Sequence, residues 1–196
     1  MKANVVESDG ISCRTCLPGE LSSPTRLRLL RSSGLLDGHP RLDRLTSLAS
    51  ELLKVPVVTV SLVDIDKQVF ASHVGLTGWV KEQGQTPLSH SFCQYVVTRG
   101  KPLIIKDARE DELLCTNKAI EDLKVIAYAG FPIVCREQVM GSFCAIRSEP
   151  HDWSELELEL LSQFAETVSD HVEVKTDYEE LKLASENLRE ANEGLE

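Results

Sequence analysis

The chain contains no run approaching the roughly 20 consecutive apolar residues that a membrane-crossing helix needs, so no membrane-crossing helix is expected within it. Residues 1–20 lack the apolar segment of a secretory leader, and the expectation is a cytoplasmic location. A basic stripe is missing too: 21 Lys and Arg face 31 Asp and Glu, a formal net charge of -10. Nucleic acid is therefore not an expected partner. The sequence also carries no Gly-rich phosphate loop, kinase histidine box or cyclase signature. Cys13 and Cys16 have a Cys-x-x-Cys spacing, but no second pair or His cluster follows, so no metal site is implied. The other cysteines are Cys93, Cys115, Cys135 and Cys144; in a chain able to build its own core, free thiols are the default.

What is present is a 196-residue chain that is 42% hydrophobic, enough for one domain of roughly 150 residues and an extension. Residues 1–23 show no hydrophobic period and read as a poorly ordered lead-in. A helical pattern starts at Thr25 and breaks at Ser33-Gly34. A second follows Pro40, with Leu42, Leu45, Leu48, Ala49, Leu52 and Leu53 at three- and four-residue spacing. The period then changes. Residues 55–63 are β-branched and read as a buried strand, with 68–74 as its hairpin partner. Residues 75–87 read as a loop, 92–97 and 117–123 as short helices, and 103–105, 125–134 and 138–146 as strands. Ser154 and Glu157 form a capping box that opens a long final helix, with Trp153 and Leu158 placed for a hydrophobic staple. The fold class is α/β in the α+β sense, an antiparallel sheet flanked by helices. The divisions expected are 1–23, a domain over 24–172, and a helical extension over 173–196.

That extension has the clearest physical pattern. With His171 at heptad position a, the a and d series reads His171, Val174, Tyr178, Leu181, Ser185, Leu188, Asn192 and Leu195, and it continues backward through Thr167, Phe164 and Leu160. Asn at an a position costs stability but favours one register and a dimer. Lys175, Lys182 and Arg189 fall at e, and Asp170 and Asp177 at g. A parallel pair then sets Asp170 against Lys175 and Asp177 against Lys182, whereas an antiparallel pair sets Lys against Lys. The expectation is a parallel homodimer through this helix. The competing reading, one helix packed on its own sheet, suits residues 156–172 better than 174–195.

Several stretches taken in order resemble the GAF family of sensory domains, in the bacterial form placed before signalling outputs. They are Gly34-Leu35-Leu36-Asp37, Pro40, Leu42-Asp43-Arg44-Leu45, the strand after Val55-Pro56, Asp66-Lys67-Gln68-Val69-Phe70, Ser91-Phe92-Cys93, and residues 102–108 ending in Asp107-Ala108. Residues 127–132, Ala-Tyr-Ala-Gly-Phe-Pro, and 141–146, Gly-Ser-Phe-Cys-Ala-Ile, complete the set. Arg147 stands where the family commonly has Asp. The resemblance implies a small-molecule pocket between the sheet and a helix-loop face, with Phe70, Ser91, Phe92, Cys93, Asp107, Tyr128 and Phe131 at matching positions. Each has a simpler role open to it: Phe92 and Phe131 suit a core, Asp107 suits capping the turn that follows its strand, and Tyr128 suits a core ring with a bonded hydroxyl.

Cys93 and Cys144 are placed to approach each other in such a fold, as a redox pair or as two buried thiols. His90 between Ser89 and Ser91 does not read as a catalytic base, because the sequence shows no orienting acid. The Cys-His pair by which photoreceptor relatives attach a bilin is absent, as is the cysteine-bearing loop of the free methionine sulfoxide reductases; Cys115 sits instead in Leu114-Cys115-Thr116. Two functions follow. One is a non-catalytic signalling input that binds a small ligand or senses redox state and relays it to an output domain or partner, such as a histidine kinase, phosphatase or cyclic-dinucleotide enzyme. The other is a small thiol-dependent reductase on the same scaffold. No cofactor is firmly implied.

Overall fold

The computed structural model describes residues 18–36 and 40–193. Cys13, Cys16, Asp37 and Leu195 fall outside the described residues. Two short helices, α1 (Pro18–Leu21) and α2 (Pro24–Ser32), lead into α3 (Pro40–Leu53). The α1 helix lies within the segment read from sequence as an irregular lead-in, and Leu21 is buried. The ordering of this segment comes from Arg26, which is only 2% exposed. Its guanidinium donates to the carbonyls of Glu20, Leu21 and Val63, drawing α1 against the end of a strand.

Six strands follow: β1 (Val57–Val63), β2 (Lys67–Val74), β3 (Gln85–Pro87), β4 (Leu103–Ile105), β5 (Ala127–Cys135) and β6 (Gln138–Arg147). They form one antiparallel sheet in the order β3-β2-β1-β6-β5-β4. Between strands lie α4 (Gly78–Gln83), a 3-10 turn (Leu88–His90), α5 (Cys93–Arg99) and α6 (Lys118–Leu123). The stretch 75–87, read as loop, thus holds a helix and an edge strand. Gly84 joins them: its φ of 63° closes α4 in the left-handed conformation that glycine adopts without steric cost.

The period-two alternation of the strands gives the sheet two buried faces. On one face Val58, Val60, Leu62, Ala129, Ile133, Phe143 and Ala145 pack against α2, α3 and the final helix α7 (Glu155–Glu193). On the other, Val63, Tyr128 and Cys144 face α5, α6 and their loops. Glu157 and Ser154 complete the capping box, with Ser154 N donating to Glu157 Oε2 at 2.8 Å and Glu157 N to Ser154 Oγ at 3.3 Å.

Along α7 the buried residues are Leu161, Phe164, Ala165, Val168, Val172 and Thr176, and burial ends there. Phe164 is stacked on Phe143 with ring centroids 5.5 Å apart. It belongs to the core and not to a dimer seam, because the helix turns that face onto its own sheet. Val174, Tyr178, Leu181 and Leu188 lie exposed, Tyr178 at 61% and Leu181 at 74%. At 100° per residue this stripe lies across the helix from the buried face, with Leu156 exposed on the same side. His171 is half-buried and Asn192 exposed. No helix among the described residues is long and apolar enough to cross a membrane.

Candidate functional site

A cavity of about 300 Å³ opens between the second face of the sheet and the α4–α6 side. Its floor is made by the strands. Val57 and Thr59 come from β1, Gln68 and Phe70 from β2, Tyr128 from β5, and Cys144 and Ile146 from β6. Phe92 and Cys93 close one wall at the start of α5, and Trp79, His90, Asp122 and Lys124 stand around it from α4, the 3-10 turn and the end of α6.

Of the seven residues expected in the pocket, Phe70, Phe92, Cys93 and Tyr128 line it. Ser91 stands behind the wall, buried, with its hydroxyl donating to Gln68 Oε1 at 2.5 Å and accepting from Gln94 N at 3.1 Å. It therefore positions a lining residue instead of lining the cavity itself. Asp107 caps its own turn and pairs with Arg109, whose Nε lies 2.8 Å from Oδ1 and whose backbone N lies 3.1 Å away. Arg109 beside it holds the Asp107 carboxyl below the ordinary range. Phe131 lies one residue parity away from Tyr128 and packs into the opposite core. Arg147, at the position where the family commonly has Asp, donates to the Lys54 carbonyl at 3.1 Å.

A buried polar chain crosses the floor. Cys93 Sγ stands 3.9 Å from Cys144 Sγ and 3.3 Å from the Tyr128 hydroxyl. Cys144 Sγ lies 3.0 Å from Thr59 Oγ1, which in turn bonds Ser61 Oγ at 2.8 Å, while Tyr128 bonds Ser142 Oγ at 3.1 Å. Burial works to raise the Cys93 thiol, but hydrogen bonds from Cys144, Tyr128, Ser61 and Ser142 outweigh it and hold that thiol below its usual value. Burial, with Cys93 beside it, pushes Cys144 well up. Tyr128 is raised for the same reasons.

At the mouth, His90 Nε2 lies 2.9 Å from Asp122 Oδ2, and Nδ1 lies 3.0 Å from Ser89 Oγ. The acid that sequence reading did not find is therefore Asp122, 32 positions away and brought in by α6. One ring nitrogen thus faces the carboxylate and the other the Ser89 hydroxyl, and the two contacts fix the plane of the ring. Ser89 is exposed and is not among the residues lining the cavity. The triple works as a brace, tying the 3-10 turn to α6 under the edge of Trp79, whose ring meets His90 at 5.6 Å. Thr59, Gln68 and Trp79 were not anticipated. Their alternation with core residues along β1 and β2 was the available signal for the first two. Trp79 lay in a segment read as loop.

The family model of the GAF domain matches residues 37–172. No curated protein matches the sequence. Solved structures share the fold. A GAF domain from an Acinetobacter phosphoenolpyruvate-protein phosphotransferase is 22% identical over 76% of this chain and 94% of its own, with a TM-score of 0.56. Residues 122 to 287 of a methyl-accepting chemotaxis protein are 18% identical, covering 78% and 96%, with a TM-score of 0.59. The free methionine-R-sulfoxide reductase from Neisseria meningitidis, solved with its substrate, is 14% identical, covering 79% and 87%, with a TM-score of 0.57. At these identities the likeness is one of fold.

Proposed function

The chain belongs to the GAF domain family, and from that premise we propose that it is a non-catalytic sensory module that binds a small, largely apolar ligand. The observation that carries this reading is the two-sided use of β5 and β6. Tyr128 and Cys144 from these strands form the cavity floor, while Phe143 from the same pair stacks on Phe164 of α7. A ligand that shifts the floor acts on strands already locked to the helix, and packed interiors pass on such shifts instead of absorbing them. In this reading residues 24–172 sense and 173–196 relay. The module works in the cytoplasm as the input of a bacterial-type signalling protein, and the output is an attached domain or partner such as a histidine kinase, phosphatase or cyclic-dinucleotide enzyme.

The relay surface is the exposed stripe Val174, Tyr178, Leu181 and Leu188, continuing in sequence to Asn192 and Leu195. Its proposed occupant is the same helix of a second copy, in parallel. The e and g charges support that choice, since they match in parallel and oppose in antiparallel pairing. From Val174 to Leu188 the exposed stripe runs about 21 Å at 1.5 Å per residue.

Native mass spectrometry of the protein purified from its source tests both parts. A retained small molecule on a dimer is the expected result. A ligand-free monomer at micromolar concentration, unchanged by a metabolite extract that leaves Trp79 fluorescence flat, would overturn the reading. A second reading, a thiol reductase acting on a small sulfoxide, is favoured by one observation: two thiols stand together in the cavity wall. Turnover of free methionine sulfoxide by the pure protein decides for it.

A further inference from the structure

We infer that Cys93 and Cys144 form a reversible disulfide when a small hydroperoxide enters the cavity, making the cavity floor a redox switch. The two sulfurs are already in van der Waals contact at 3.9 Å. A disulfide requires about 2.05 Å, so the two sulfurs must close by roughly a further 1.9 Å. Both residues line the cavity, whose mouth carries the exposed Trp79, Asp122 and Lys124, so an oxidant of peroxide size has a path. The setting of the pair is asymmetric. Cys93 lies 3.3 Å from the Tyr128 hydroxyl and Cys144 3.0 Å from the Thr59 hydroxyl, and the hydroxyl network of Tyr128, Ser61 and Ser142 holds the Cys93 thiol down while burial pushes Cys144 up, which favours Cys93 as the first thiolate. The remaining cysteines of the described residues lack this pairing: Cys115 is exposed with its sulfur at the Glu112 carbonyl, and Cys135 is buried on the other face beside Thr176.

The chemistry balances with a hydroperoxide as oxidant. The Cys93 thiolate attacks the peroxide oxygen, an S–O bond forms and the O–O bond breaks, and the leaving alkoxide or hydroxide takes up the proton lost by the thiol. Cys144 sulfur then attacks the sulfenic sulfur. The S–S bond forms, the S–O bond breaks, and hydroxide departs as water with the Cys144 proton. Two thiols lose two electrons and the peroxide gains them. A small dithiol reductant reverses the change. Oxidised, the bond would pin the start of α5 to β6, the strand whose Phe143 stacks on α7. The switch stands on the sulfur pair alone and does not need the cavity to hold a ligand, so either idea survives failure of the other.

The test uses the intact chain. It is treated with hydrogen peroxide, alkylated after denaturation, and digested with trypsin. The four cysteines of the described residues then fall on separate peptides: Cys93 on 82–99, Cys115 on 110–118, Cys135 on 125–136 and Cys144 on 137–147. The expected product is 82–99 joined to 137–147, two hydrogens lighter than the separate peptides and released by dithiothreitol. In the Cys144→Ser protein the expected product is a sulfenic acid on Cys93 that dimedone traps. Full alkylation of both residues under peroxide that oxidises Cys115, or over-oxidation of either without a joined peptide, would overturn the inference.

Discussion

The Tyr128 ring lies along its own strand over Gly130, so close that a β-carbon at Gly130 would stand 2.2 Å from the Tyr128 hydroxyl and 2.5 Å from Cζ. This lay sends the hydroxyl to Cys93 and Ser142 instead of into the cavity mouth. Gly130→Ala should therefore displace the ring, at a cost of about 1–3 kcal/mol in urea unfolding, the usual range for overpacking. In a Tyr128→Ala background the same substitution should cost almost nothing. Equal costs in the two backgrounds would show that the glycine is needed for something other than the ring.

The start of α7 makes a prediction about pH. Glu157 is partly buried, which alone raises its carboxyl, but hydrogen bonds from the Ser154 backbone and hydroxyl and from His151 outweigh this and leave it depressed. A carboxyl depressed in the folded state contributes stability above its unfolded value, near 4.3, and loses it as pH falls through the folded value. Glu157→Gln should cost about 0.3–1 kcal/mol at pH 7, the range for an acid at a helix start. The gap between the two proteins should close as pH falls below about 4. Denaturant titrations at pH 7 and pH 3 check this, and a gap that widens in acid would reverse the sign.

Much of this fold was legible because its signals are local. The β-branched run ending at Val63, the capping box at Ser154 and the short helix capped by Asn117 each stand on a few neighbouring residues. The site was legible only in part. Phe70, Phe92, Cys93 and Tyr128 reach the cavity, yet Phe131 faces away, because one step along a strand reverses the side chain. The His90–Asp122 bond spans 32 positions and depends on where α6 docks. Thr59 was hidden for the opposite reason: inside an apolar strand it reads as filler until Cys144 from β6 arrives beside it.

The exposed stripe on α7 is tested by charge. Leu181, at a d position and 74% exposed, has little to lose in an isolated chain and much in a helical seam. Leu181→Glu should leave the thermal midpoint of the diluted protein nearly unchanged and weaken self-association by tenfold or more, roughly the worth of one buried leucine. Deleting residues 174–196 should also weaken self-association, with a lower thermal midpoint because buried Thr176 and the Arg136 ion pairs go with it. A fully dimeric truncated protein by sedimentation would place the interface elsewhere.

Asp177 is asked to do two things at once. In a parallel pair it faces Lys182 of the other helix, but within the chain Arg136 holds it at 2.6 Å and Glu180 at 2.7 Å. Arg136 sits at the tip of the β5–β6 hairpin with φ of 46°, a conformation that disfavours a residue with a side chain. The hairpin that carries Tyr128 and Cys144 therefore also grips α7 just beyond its last buried residue, Thr176. One carboxylate serves one partner fully, so the grip would compete with the proposed pairing of two α7 helices. Arg136→Ala should free Asp177 and tighten self-association by about two- to fivefold at low salt, the scale of one exposed ion pair. The gain should vanish when Lys182→Ala is added, and it should shrink in 1 M salt. If Arg136→Ala loosens the dimer instead, the hairpin supports the paired helix, and Asp177 is not its interchain charge.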